Sequence, residues 1–444
     1  MKILIIEQVK MKSIPSKPLE KTVLTMFSIL PSLYPRRLAA ITPTHHTVTI
    51  INERYHQIPS HEIFDIVLIH FNTASAYRAY HIADTFRQKN IPVVFCGLHA
   101  SALPNEASQH ADSILLGRGE GNWLQLLNDM EQTRLKKLYQ PEPYGDLSCS
   151  IPPTHVTLPG FQITGAIEAT RGCPYRCNFC PEANTPDGHL FYARPVEEII
   201  EEIRSVPQKT LMFYDLSLTI NKEFTKELFL KMRTLKKRFF CNGNVDALAN
   251  DEELVRLSHE AGCIGWLVGF ESFSQQTLAS VGKKTNKVSD YGKAIDLIHK
   301  YKMAVIGDFM FGFDSDTLDV FETTVQMIKD LHIDVADFSI LTPFPGTPIF
   351  QDLKKEKRIL TEDWERYTMH SVVFQPKNMQ PRDLINGVTA LYNEFYSPKY
   401  TVQRICHAAT LGIRPFFLIL ARNTIGLFSR KNLLSKKREE KIIV

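Results

Sequence analysis

The sequence predicts an α/β protein in three parts: a doubly wound, Rossmann-like parallel sheet, a partial (β/α)6 barrel of the TIM type, and a helical C-terminal segment. Three observations lead there. Short apolar runs alternate with amphipathic helical patterns, as in parallel sheets covered by helices. The alternation comes in two blocks, separated by a Pro-containing, weakly patterned stretch at 132–160. From 381 onward the pattern reads mainly helical. The expected units are therefore 1–131, a linker 132–160, a barrel 161–380 and a tail 381–444.

In the first block the strands are expected at 2–7, 47–51, 65–70, 92–97 and 112–117, each an apolar run suited to burial on both faces. The clearest helix between them is AYRAYHIADTFRQKN, 76–90. Doubly wound sheets bind ligands beyond the carboxyl ends of their strands, here the loops 71–75, 96–101 and 117–121. In the second block six strands are expected at 163–170, 210–216, 238–244, 264–270, 304–313 and 335–343, with helices such as 196–206, 222–238 and 251–262 between them. Asn250 or Asp251 suits the N-cap of the last helix and Gly262 its end. Barrels of this type carry their chemistry at the carboxyl ends of the strands.

Composition narrows the function. A net charge of +4 over 444 residues gives no case for a nucleic-acid partner. The N-terminal apolar run is broken by Glu7 and Lys10, unlike a signal peptide, and no long uncharged apolar stretch predicts a spanning helix. The expected location is the cytoplasm, where clustered cysteines bind metal more often than they form disulfides.

Three of the eight cysteines, Cys173, Cys177 and Cys180, fall in RGCPYRCNFC, on the loop after the first barrel strand. Thiolates suit soft metal centres, and three of them on a four-iron cluster leave one iron open to a ligand. A structural zinc site is the competing reading; its fourth ligand would come from His189 or Cys149. The other five cysteines read as small buried hydrophobes.

RGCPYRCNFC resembles the cluster motif of the radical S-adenosylmethionine (SAM) enzymes. The resemblance implies a 4Fe–4S cluster on the three cysteines. Its open iron chelates SAM, and cleavage of SAM gives a 5′-deoxyadenosyl radical. It also implies that Phe179 lines the adenine pocket. FYDLSLTIN (213–221) is similar to the family's second-strand loop, where Asp215 would serve the methionyl amino group; the competing reading is a helix N-terminal acid. GFES (269–272) resembles the segment that turns Glu271 to the cofactor. Asn242 is a candidate ribose contact or a satisfied barrel amide. The segments 307–317 and 341–350 resemble those that close the pocket.

The first block resembles the cobalamin-binding domains fused to one branch of these enzymes, through 71–90 and through PVVFCGLHASALPNEASQHADSILLGRGEGNW (92–123). The resemblance implies cobalamin contacts at Thr73, Ser75, Gly97, His99, Gly117 and Glu120. Thr73 and Ser75 also read as caps of the following helix, and His99 as a structural histidine. Cys96 stands where the family has the first glycine of a pair, and no axial-histidine motif follows the first strand, so a histidine-ligated cobalt is not expected.

The activity implied is methylation of an unactivated carbon. A radical cyclisation or oxidation with a vestigial first domain is the alternative, and a zinc-stabilised binding protein the alternative of another class. A small-molecule, lipid or peptide substrate and an electron donor such as a flavodoxin or ferredoxin are the expected partners. The tail mixes apolar residues with Arg414, Arg422, Arg430, Lys431, Lys436 and Lys437. It reads as a helix packed on the barrel or as a basic amphipathic helix in peripheral contact with a membrane.

Overall fold

A computed structural model describes residues 1–8, 33–53, 56–59, 61–140 and 164–439, the last twelve of these by backbone only. The first sheet contains β1 (Lys2–Gln8), β2 (Thr47–Asn52), β3 (Ile66–His70), β4 (Val93–Cys96), β5 (Ser113–Leu115) and β6 (Leu138–Tyr139). Their order is β2-β1-β3-β4-β5-β6 and every pairing is parallel. The five expected runs are all strands. β6 is a sixth strand, inside the stretch expected to be linker. It is two residues long, so no apolar run announces it. Residues 141–160 of that stretch, Cys149 included, lie outside the described residues.

The order reverses at β1, with helices on both faces. Ile3, Ile5, Ile66 and Leu68 point to one core with Leu38 and Trp123; Leu4, Ile6, Val67 and Ile69 point to another with Ala79 and Phe86. This is why the strands are apolar at consecutive positions.

The second sheet is β7 (Thr164–Ile167), β10 (Thr210–Phe213), β11 (Arg238–Gly243), β12 (Cys263–Glu271), β13 (Ala304–Phe311) and β14 (Val335–Ile340). Neighbours pair in sequence order, all parallel. The strand expected at 163–170 divides: β7 ends at Ile167, and β8 (Thr170–Arg171) leaves to pair antiparallel with β9 (Tyr192–Ala193).

One face of this sheet, with Phe213, Phe239, Trp266, Val305 and Phe338, packs against the connecting helices. Between β11 and β12 runs the helix Glu252–Ala261, capped where Asp251 accepts from Leu254 N at 3.0 Å and ended at Gly262. The opposite, concave face carries Leu267, Ala304, Ile306 and Val335. At its lower end the C-terminal helix Ile413–Glu439 seals it with Phe416, Leu418 and Ile419. Arg422 on that helix reaches Asp337 on β14 at 2.6 Å. The tail therefore packs on the barrel, leaving Ile413 and Phe417 exposed. Side chains from 428 on, including Arg430 and Lys431, lie outside the described residues. Among the described residues no helix is long and apolar enough to cross a membrane.

Candidate functional site

The cysteine loop begins at a forced turn. Gly172 has φ +74°, and a Cβ there would lie 2.0 Å from the Leu190 carbonyl oxygen, so no other residue fits the backbone approach. Cys173 N then donates to Gly188 O at 2.8 Å, closing the loop at its base. Within it, Asn184 Nδ2 donates to the carbonyls of both Cys177 (2.9 Å) and Cys180 (2.8 Å). Asn178 N donates to Val281 O, and Ile349 N to Asn178 O, so the loop is stitched to segments beyond β12 and β14.

Burial pushes the Cys177 thiol up and the Cys180 thiol to about 12, so both are held neutral unless a cation is near. Two sets of donor atoms among the described residues close to within 4.8 Å of one another, and the three cysteine sulfurs are not one of them. A single tetrahedral ion with bonds of ~2.3 Å needs sulfurs ~3.8 Å apart. Three thiolates and no fourth protein ligand in a close set among the described residues match the donor count of a four-iron cluster with one open iron. His189 lies on the same loop, but it is not part of a close donor set.

Phe179 is buried and meets Phe313 edge-on, with ring centroids 5.9 Å apart. Glu271 sits at φ +62°, where the β12–β13 register shifts, which turns its carboxylate inward. Its Oε1 lies 2.8 Å from Lys283 Nζ. Burial lowers the Lys283 pKa, but the Glu271 carboxylate outweighs it and the net shift is upward. Lys283 has no sequence signal, for VGKKTNK reads as a solvated loop.

Asp215 is buried and accepts from Thr170 N, Thr170 Oγ1 (2.6 Å) and Ala169 N (3.3 Å). It braces the start of the cysteine loop from just beyond β10. Burial raises its pKa to about 7. Asn242 donates from Nδ2 to Asp215 O at 2.8 Å and its carbonyl accepts from Leu218 N at 2.9 Å, which fixes the ends of β10 and β11 together. Further along the concave face stands Asp308, partly buried, its pKa raised by burial and by the neighbouring Asp337 and Glu271.

Above these groups the two sheets face each other across a cavity of about 540 Å³. Thr73 and Ser101 line it from the first sheet, Arg176 and Asn184 from the cysteine loop, Phe344 and Met369 from beyond β14. Pro345 and Gly346 complete the last wall. Of the residues expected to touch cobalamin, only Thr73 lines this cavity. Ser75 turns back to cap Asn72 O at 3.2 Å. Gly97 (φ +105°) lies so close to Phe71 that a Cβ would meet its carbonyl oxygen at 2.4 Å, while the neighbouring Leu98 faces the cavity. His99 is fully buried and bonded to Tyr80 Oη at 3.0 Å, facing the domain core. Cys96 is also fully buried, in the Leu38–Trp123 core, so its side chain does not crowd the cavity.

Gly117 and Glu120 belong to the joint between the sheets. Gly117 lies against the Asp187 carboxylate, and Arg118 N donates to Asp187 Oδ2 at 3.1 Å. Glu120 accepts from both terminal guanidinium nitrogens of Arg171, at 2.7 and 3.0 Å. Arg37 pairs with Glu168, and Arg171 with Glu168 at 2.9 Å. Two arginines and two glutamates from three distant segments thus lock the sheets together.

Residues 167–328 match the radical SAM superfamily. The chain is similar to two methyltransferases of Chlorobaculum tepidum. Bacteriochlorophyllide d C-12(1)-methyltransferase is 28% identical over 386 residues, 83% of each chain. Bacteriochlorophyllide d C-8(2)-methyltransferase is 30% identical over 390 residues, 83% of this chain and 86% of the relative. Among solved structures, the methyltransferase TsrM from Kitasatospora setae, with cobalamin and a [4Fe–4S] cluster bound, superposes with a TM-score of 0.64 at 15% identity and covers 88% of both chains.

Proposed function

The chain belongs to the radical SAM superfamily, and from that premise we propose that it is a cobalamin-dependent C-methyltransferase acting on an unactivated carbon. One observation carries the reading: a single cavity is walled on one side by the carboxyl-end loops of a doubly wound sheet and on the other by the cysteine loop of a barrel. When bound, the cluster and SAM supply the radical, and cobalamin supplies the methyl group.

The chain's own residues bind, orient and exclude water. Cys173, Cys177 and Cys180 would hold the cluster, with Asn184 fixing the carbonyls beneath two of them. Glu271 and Lys283 present a carboxylate and an ammonium side by side, complementary to the zwitterionic head of an amino acid. Phe179, on the cysteine loop against Phe313, offers an aromatic face. Thr73, Leu98 and Ser101 would meet the corrin at the first sheet. Arg37, Arg171, Glu120 and Glu168 fix the distance between the two cofactor walls, which is how a protein turns proximity into rate. The relatives' names make a tetrapyrrole the first substrate class to test, with a flavodoxin or ferredoxin as electron donor.

The test is anaerobic reconstitution of the full chain with iron, sulfide and hydroxocobalamin. Iron and cobalt per chain are measured together with 5′-deoxyadenosine release after reduction, in wild type and Cys177→Ala. About four irons, near-stoichiometric cobalt, and release abolished in the variant are expected. Iron and 5′-deoxyadenosine without cobalt would overturn the methyltransferase and leave cyclisation or oxidation.

A further inference from the structure

At the floor of the barrel, the end remote from the cysteines, three segments bring ligand-type side chains together. His299 ends the helix Tyr291–Lys300, Asp334 precedes β14, and His407 lies on the helix Pro398–Leu411. One donor atom from each lies within 4.8 Å of the other two. His299 Nε2 stands 2.9 Å from Asp334 Oδ2, and the imidazole centroids of His299 and His407 are 5.2 Å apart.

The cluster is not satisfied as it stands. Asp334 Oδ2 accepts from Val305 N at 2.8 Å, but Oδ1, on a side chain with no exposed surface, has no hydrogen-bond partner. His407 Nε2 is also buried and without a partner. Two buried polar atoms left open side by side in one cluster leave a place for a shared partner, which an ion held by all three side chains would fill. Arg404 does not fill the gap: its guanidinium lies over the Phe395 ring at 3.7 Å and bonds Asn423 Oδ1 at 2.7 Å.

We propose that His299, Asp334 and His407 bind one divalent transition ion, with Zn²⁺ the best fit, and that the ion fastens the C-terminal helices to the barrel floor. Two imidazoles and a carboxylate form a borderline donor set that suits zinc over magnesium or calcium. Bonds of ~2.0 Å place tetrahedral ligands ~3.3 Å apart, close to the His299–Asp334 separation. A cavity of about 360 Å³, lined by His332, Tyr400 and Gln403 among others, leaves room for water in the fourth position. The site is distinct from the radical centre, which lies at the opposite ends of the same strands.

The test uses the full chain with its cluster reconstituted, so that the cysteines are already engaged, and stripped of loose metal. It is titrated with Zn²⁺, then measured for zinc per chain after gel filtration and for thermal unfolding. Wild type should retain about one zinc and unfold at higher temperature with zinc than without. His407→Ala and the gentler His407→Gln should keep wild-type iron content and lose at least ~10-fold in zinc affinity. A Cys173/Cys177/Cys180 triple alanine variant should still take up zinc. Wild type without zinc, zinc undiminished in both His407 variants, or zinc lost with the cysteines would each overturn the assignment.

Discussion

Lys283 Nζ and Glu271 Oε1 form an ion pair of 2.8 Å beside the Cys177 thiol, with little of either side chain exposed. Removing one partner leaves the other charged in a poorly solvated place. Lys283→Met should therefore cost about 3 kcal/mol of stability. The double variant Lys283→Met/Glu271→Gln should recover part of that loss. Denaturant unfolding of the four proteins of this cycle measures the coupling.

Gly172 is the hinge on which the cysteine loop turns. Gly172→Ala meets the Leu190 carbonyl and a left-handed backbone, a strain of ~1–3 kcal/mol or more. The loop should distort before the sheets unfold. Iron per reconstituted chain is expected to fall by more than half while far-ultraviolet circular dichroism stays at the wild-type level.

Asp308 should make stability fall as pH rises. Its folded pKa is raised to about 8, against an ordinary value of 3.8, by burial first and then by Asp337 and Glu271. The folded state thus holds the proton more tightly. The stability it contributes is full below pH 3.8 and is lost as pH climbs through about 8. Asp308→Asn carries no such proton. Its unfolding free energy should decline less steeply over this window, leaving the variant more stable than wild type relative to their difference at low pH.

The Arg171–Glu120 pair spans the two sheets. Arg171→Leu leaves Glu120 buried with Arg37 as its remaining partner at 3.9 Å. The joint should loosen while each sheet keeps its own core. Amide hydrogen exchange should accelerate about tenfold or more at 117–121 and 168–173, one factor of ten for each ~1.4 kcal/mol lost, and stay unchanged in β12 and β13.

Local signals were readable and assembled ones were not. The cysteine spacing and the apolar runs of β3, β12 and β13 are contiguous in sequence, so each carries its own signature. β6 is too short to have one. Lys283 joins Cys177 only through folding, and Arg37, Glu120 and the neighbours Glu168 and Arg171 come from three segments far apart in the chain. His99 is another residue whose setting is made by folding: Nε2 meets Tyr80 Oη inside the core, a partner nineteen residues earlier in the chain.

The helix that floors the barrel also sets an order of events. Translation delivers the cysteine loop early and all six strands before Phe416, Leu418 and Ile419 emerge. Until then Leu267, Ala304, Ile306 and Val335 face water from below. A ribosome-bound chain thus presents its iron-binding loop while its barrel is still open. Sealing of the interior is the later event, left to residues that take no part in the chemistry above them.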